Sequence, residues 1–259
     1  MIYSTDGQKE YHIDLKKGDI GRFVIMPGDP GRCGEIAKRL ENPYKVAQKR
    51  EFCTYNGTLE GELVSVVSTG IGGPSAAIAL EECVNAGADT FIRVGTCGAM
   101  QENILGGDMI IATGAVRMEG TTREYAPIEY PAIADREIVA ALEKAAEKME
   151  LTAHVGVVQS KDSFYSQHSP ETKPVSAELM AKWEAWKRMG CLASEMEGAA
   201  LFIVGQYRRV RVGACFLVMA NQERAKAGLD NPVVHDTGTA IDLGVEAMRL
   251  IIRQNKDNA

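Results

Sequence analysis

No stretch of the chain reaches the roughly 18 to 20 consecutive apolar residues that span a bilayer, and the amino-terminal MIYSTDGQKEYHIDLKKG has no apolar signal core. The expected location is therefore cytoplasmic. Also missing are a C-x-x-C pair and any local cluster of His and Cys: the six cysteines, Cys33, Cys53, Cys83, Cys97, Cys191 and Cys215, are scattered. That argues against a zinc site and a disulfide framework, and leaves the thiols as small buried groups. Nor is there a surplus of basic residues. Lys and Arg total 29 against 35 Asp and Glu, a net charge of −6, which disfavours the broad phosphate-neutralising surface that duplex binding needs. A small anion would have to be held by a few arginines gathered at one point. No internal repeat, low-complexity tract or linker interrupts the chain.

What is present is an ordinary globular composition, 45% hydrophobic and 25% charged over 259 residues, enough for one sizeable domain or two small ones. Phe23 to Met26 reads as a strand that breaks at Pro27-Gly-Asp-Pro-Gly-Arg32 and continues as a helix through Leu40. Backbone N–H groups at such a turn can hold an anion, with Arg32 beside them, although Gly-Asp-Pro-Gly is equally a plain turn. Lys45 to Thr54 alternates as a strand, and Asn56-Gly57 reads as a hairpin turn into Leu63 to Ser68. A second glycine loop, Thr69-Gly-Ile-Gly-Gly-Pro-Ser75, leads into a helix that Pro74 opens and Gly87 closes.

Thr90-Phe-Ile-Arg-Val-Gly-Thr-Cys-Gly98 then reads as a buried strand opening onto a short loop bounded by Gly95 and Gly98, where open α/β sheets put their ligands. Arg93 inside that apolar run needs an anionic partner, whether a structural carboxylate or a ligand. A strand from Met109, a covering helix from Asp135 to Glu150 and a strand from His154 to Gln159 follow. The long segment 160–174 is irregular, and its Phe164-Tyr165 pair beside Gln167 and His168 could face a flat polar ligand. Leu179, Trp183 and Trp186 lie at helical spacing and read as core or subunit contacts. In Ser194-Glu-Met-Glu197, Glu195 and Glu197 share one side if the segment is extended and diverge if a helix has begun. A strand over Val212 to Met219, a polar loop over 220–234 and a closing amphipathic helix complete the alternation, which predicts one α/β domain over 1–259 around a parallel or mixed sheet.

The motifs PGDPGR at 27–32, REF at 50–52, STGIGGPS at 68–75, RVGTCG at 93–98 and SEMEG at 194–198, in this order, resemble those of the nucleoside phosphorylase family, most closely its uridine-specific branch. The resemblance covers nearly the whole chain. It implies an α/β fold with a central, barrel-like mixed sheet flanked by helices, and a ring-shaped hexamer built from dimers that complete each other's sites. It implies phosphate binding by Gly28, Arg32, Arg93 and Thr96, with Arg50 supplied by the neighbouring subunit, and ribose binding by Thr96, Met196 and Glu197, with His12 reaching across from the adjacent subunit. Arg93, Thr96 and Glu197 are then the catalytic set. On the base side it implies Cys97, Gly98, Phe164 and Gln167. An arginine expected near that glutamine is absent, and Lys173 or a water is the substitute to consider. Glu51, Ile71 and Ser75 match a site for a monovalent cation, potassium, between subunits; no metal or organic cofactor is required for the chemistry.

The activity so implied is phosphorolysis of uridine to uracil and ribose 1-phosphate in nucleoside salvage. Alternatives are a purine or broad-specificity phosphorylase, a nucleosidase using water, and a nucleoside-binding protein without turnover. The pyrimidine reading rests on Val218-Met-Ala-Asn-Gln222, which has no acid where purine-preferring relatives carry one, with Glu223 close by as the complication. Cys97 reads as a packing or backbone-donor position and not a nucleophile, because nothing places a base beside it.

Overall fold

The strand that carries Arg93 is the axis of the molecule. The computed structural model describes residues 9–257, so part of the amino-terminal stretch read above for a signal core lies outside the described residues. In chain order the strands are β1 (Phe23–Pro27), β2 (Glu41–Lys49), β3 (Phe52–Leu59), β4 (Glu62–Val67), β5 (Thr90–Ala99), β6 (Met109–Met118), β7 (Ala132–Ile133), β8 (Ala153–Lys161), β9 (Ala193–Glu195) and β10 (Arg211–Asn221). The helices are α1 (Gly31–Ala37), α2 (Gly73–Ala86), α3 (Thr121–Tyr125), α4 (Arg136–Lys148), α5 (Phe164–His168), α6 (Ser176–Arg188), α7 (Gly198–Arg208), α8 (Gln222–Lys226) and α9 (Gly238–Asp257). Among the described residues, no helix is long and apolar enough to cross a membrane.

The sheet runs β10-β6-β8-β9-β5-β1-β4-β3-β2, with β7 added to β6, and β10 pairs with β5 as well. That extra pairing closes a ring through β5, β10, β6, β8 and β9, from which β1 to β4 extend as a wing. The expected barrel-like mixed sheet flanked by helices is thus the observed fold. β5 is buried along nearly its whole length, as suits a strand with neighbours on both edges and helices on both faces. One apolar cluster joins Phe91, Phe216 and Val204 with α2 and α7; the other joins Ile92, Val94 and Met248 with α4 and α9. α4 starts where Asp135 caps it, its side chain accepting from the Glu137 and Ile138 N–H groups.

Local details differ from the sequence reading. Asn56-Gly57 lies inside β3, and the turn comes instead at Glu60-Gly61, both at positive φ (53° and 75°) as a primed hairpin turn requires. Asn56 is buried for its side chain, which donates to the Asp19 carbonyl and the Tyr44 hydroxyl and accepts from Ser65. The strand expected over Lys45 to Thr54 breaks at Arg50, where φ is 54°. The expected loop at 95–98 is continuous strand. A Cβ on Gly95 would come within 2.7 Å of the Phe216 ring, so that glycine makes room for a core aromatic and not for a ligand. Segment 160–174 contains α5 and a 3₁₀ turn at Pro170–Thr172, and the polar loop 220–234 begins with α8.

Candidate active site

Register explains why distant motifs meet. β5 lies between β1 and β10, with Met26 and Ala214 as the neighbours of Arg93, and the carboxyl ends of β1 and β4 deliver the two glycine turns to the same side. β9 pairs antiparallel to β5 with Ser194 opposite Gly98. The chain leaving β9 therefore heads back along β5 and brings Glu197 to Arg93. β8 runs parallel to β9, with Ser160 opposite Glu195, so Lys161 and α5 arrive at the other end. These elements line a cavity of about 930 Å³ that includes Gly28, Arg32, Arg93, Thr96, Met196 and Glu197 and extends to Cys97, Gly98, Lys161, Phe164 and Gln167.

At the arginine end, Arg93 is buried and its Nη2 donates to Glu197 Oε2 at 2.5 Å. Nη1 donates to the Thr69 hydroxyl at 3.0 Å. Among the described residues, Arg93 Nε and Arg32 Nη1 are buried with no hydrogen-bond partner. Burial, and then repulsion from Arg93, lowers the Arg32 pKa: two guanidinium groups share one space, with only part of their charge answered. Gly28 is packed against the Arg93 guanidinium, since a Cβ there would lie 3.3 Å from Arg93 Nη2. Such a cluster favours an anion able to take forked N–H donors.

The two glutamates take different partners, so the extended segment has ended by Glu195. Glu197 Oε1 accepts from the Gly72 N–H at 2.7 Å. Glu195 turns back on its own chain, accepting from the Glu197 and Gly198 N–H groups at 2.8 Å each and from the Ser160 hydroxyl. Burial, followed by repulsion from Glu197, pushes the Glu195 carboxyl up. Both are buried, which rules out a solvated acidic pair.

At the opposite, lysine end, Gln167 Oε1 lies 2.7 Å from the Ser194 hydroxyl, whose one proton it shares with Gln159 Oε1, and Gln167 Nε2 donates to Gln222 at 3.2 Å. One amide N–H and one oxygen lone pair remain for a ligand. Phe164 is half exposed at 50% and lies 4.3 Å from the His168 ring, centroid to centroid. Cys97 is buried with its thiol directed to the Leu217 carbonyl, and burial pushes the thiol up, which agrees with its reading as a packing position. Glu223 faces away. It lines a second cavity of about 560 Å³ with Leu179, Trp183 and Trp186. There it accepts from Trp183 Nε1 at 2.9 Å, Lys187 at 2.5 Å and Lys226 at 3.0 Å. Burial would raise its carboxyl, but these donors outweigh burial and hold it low.

Four of the expected residues are not among those lining the 930 Å³ cavity. His12 Nδ1 sits 2.5 Å from Glu82, and both His12 and Arg50 pack on the Tyr11 ring. Ser75 contacts Glu51 at 3.1 Å, while Glu51 and Ile71 reach the cavity rim. Lys173 donates to its neighbour Thr172 instead. The residue that sequence reasoning missed is Lys161. Unlike Arg93 it does not stand inside an apolar run, since Gln159 and Ser160 precede it, and a strand ending at Gln159 left it in a loop.

A family model, that of the phosphorylase superfamily, matches residues 22–252. The chain is 56% identical to "Uridine phosphorylase" of Treponema pallidum (strain Nichols) over 255 residues, 98% of each chain. It is 37% identical to "Uridine phosphorylase" of Escherichia coli (strain K12) over 247 residues, 93% of this chain and 98% of that one. It is also 40% identical to "Guanosine phosphorylase" of Halorubrum lacusprofundi over 213 residues, 82% of this chain and 84% of that one.

Proposed function

Because this chain belongs to the phosphorylase superfamily, we propose that it catalyses phosphorolysis of a pyrimidine nucleoside, converting uridine and phosphate to uracil and ribose 1-phosphate. The observation that carries the reading is the buried Arg93 beside the half-buried Arg32, each with one unpartnered nitrogen among the described residues, where Arg93 packs on the Gly28 turn in a cavity of about 930 Å³. Phosphate enters there as co-substrate, with Thr96 between it and the sugar. It attacks the anomeric carbon as the bond to the base breaks, and the developing cation on the sugar faces the anion that the arginines hold. Holding both reactants in place removes entropy that can amount to about 7–11 kcal/mol in well-oriented systems. Glu197 keeps lone pairs for sugar hydroxyls, and Met196 lies against the ring. Phe164 packs on the base beside Cys97 and Gly98, and the free N–H and lone pair of Gln167 match the adjacent carbonyl and N–H of a pyrimidine imide.

Arg50 and His12 share the Tyr11 ring away from this chain's cavity, which suits delivery to a second copy in a hexamer built from dimers. In this reading the enzyme is cytoplasmic and serves nucleoside salvage as one domain over 1–259. Glu51, Ile71 and Ser75 supply only oxygen donors and a single carboxylate, a set suited to potassium and too weakly charged for a divalent ion; when bound, the ion would tie subunits together.

Uracil release measured with and without phosphate tests the proposal. Release should depend on phosphate, and equal rates in phosphate-free buffer would sink the reading in favour of a nucleosidase. The guanosine-cleaving relative favours a purine as the second reading. Glu223, tied to three donors outside the cavity, supports the pyrimidine instead. Rates on uridine, thymidine and inosine at equal concentration separate the two.

A further inference from the structure

The base end carries a buried cation that no motif assigned. Lys161 is 6% exposed at the end of β8 and lines both the 930 Å³ cavity and its neighbour. Its Nζ donates to the Ser194 hydroxyl at 2.8 Å and to the Glu195 carbonyl at 3.4 Å. An ammonium has three donors, so one N–H is left over. The Phe164 ring centroid lies 6.0 Å from Nζ, which puts that charge beside the proposed base platform. Ser194 in turn shares its one proton between Gln167 and Gln159.

Resting on the pyrimidine-phosphorylase reading, we propose that the Lys161 ammonium is a catalytic residue that stabilises the departing base, its free N–H donating to a carbonyl oxygen of uracil as negative charge develops there. When phosphate oxygen bonds to the anomeric carbon, the electron pair of the breaking carbon–nitrogen bond moves into the base ring and onto its carbonyl oxygens. Lys161 meets that charge by hydrogen bonding and keeps its proton; the uracil anion is protonated by solvent after release.

The surroundings fit a cation poised to respond to charge. Facing Lys161 are Glu195 and the Ser194 hydroxyl from β9, Glu197 beyond it, Cys97 from β5 and His168 from α5, with Lys226 of α8 near His168. Burial pulls the ammonium down to about 8, against the pull of Glu195, Glu197 and Cys97 in the other direction. Among the described residues no carboxylate oxygen bonds Nζ directly, so its charge is not already consumed.

The test compares Lys161→Met with the wild-type protein in inorganic phosphate on uridine and on 5-fluorouridine, whose more acidic base leaves without as much help. Removing one donor to a developing anion typically costs about 100- to 1,000-fold in kcat. That loss is expected on uridine, with a markedly smaller loss on 5-fluorouridine and partial rescue by Lys161→Arg. The wild-type kcat should also fall as pH rises through about 8, and this limb should vanish in Lys161→Met. Equal losses on both nucleosides would overturn the proposal and leave Lys161 as a support for Ser194 and Gln167. Melting curves confirm that the variants are folded; were Lys161→Met unfolded, the same comparison in Lys161→Gln would decide. A wild-type protein that releases no uracil from uridine would instead refute the pyrimidine reading.

Discussion

Arg93 and Lys161 are both buried cations at the ends of one cavity, yet they are held in opposite ways. Arg93 is locked to a carboxylate at 2.5 Å and to a hydroxyl, and its planar guanidinium presents forked donors suited to an oxyanion. Lys161 is held by a hydroxyl and a carbonyl, both neutral, and burial brings it to about 8. The contrast suits the charges each end would meet in phosphorolysis: phosphate is an anion throughout, whereas a base becomes one only as its bond breaks. One end needs a permanent charge; the other gains from a charge not yet answered.

The largest expected break of this contrast is Arg93→Met. It removes two forked donors and strands Glu197 as a buried, unpaired carboxylate. Activity on uridine should fall by at least about 100-fold, and urea unfolding should show a loss of about 3–5 kcal/mol. Near-normal activity would mean that the anion binds elsewhere.

The next effect separates the two ends by pH. Lys161 binds its proton less tightly folded than unfolded, so the unfolded chain holds more protons between about 8 and the lysine's ordinary 10.5, and stability rises with pH across that window. Below about 8 the cost is fully present. Lys161→Met should relieve it, gaining on the order of 3 kcal/mol at pH 7 and flattening the slope above 8. Stability and activity of the wild-type protein should thus move in opposite directions as pH climbs past 8. A variant no more stable than wild type in denaturant titrations at pH 7 would show that Lys161 is better solvated than its burial implies.

The smallest effect sharpens the arginine end alone. Arg32→Lys keeps the charge but loses the fork, so the KM for phosphate should rise about tenfold, worth about 1.4 kcal/mol, with the KM for uridine unchanged in initial-rate measurements. A shift confined to uridine would move Arg32 out of the phosphate subsite.

Much of the cavity was legible because its cues are local. A charge in an apolar strand singled out Arg93, and glycine turns after strands singled out Gly28 and the 69–75 loop. The motif series predicted the sheet type. Lys161 escaped because where β8 ends is fixed by pairing with β6 and β9, which no window of sequence contains. Lys173 was considered in its place only because it lies on the expected loop. Asn56-Gly57 misled for a related reason: it has the residues of a hairpin turn, but a buried set of partners held it in a strand. Gly95 was read as the start of a ligand-facing loop, whereas the Phe216 ring on a neighbouring strand uses the space beside it.

By itself the sequence determined that Arg93 carries charge into an apolar strand and that glycine turns follow β1 and β4, since both follow from residue type and near neighbours. Only the tertiary structure decided which of those charges are answered. Arg93 meets Glu197 because β9 runs antiparallel to β5, Glu223 is drawn out of the cavity by α6 and α8, and Lys161 reaches the base end with one donor unused. Those outcomes depend on long-range register, where a shift of one residue would turn each side chain to the other face of the sheet.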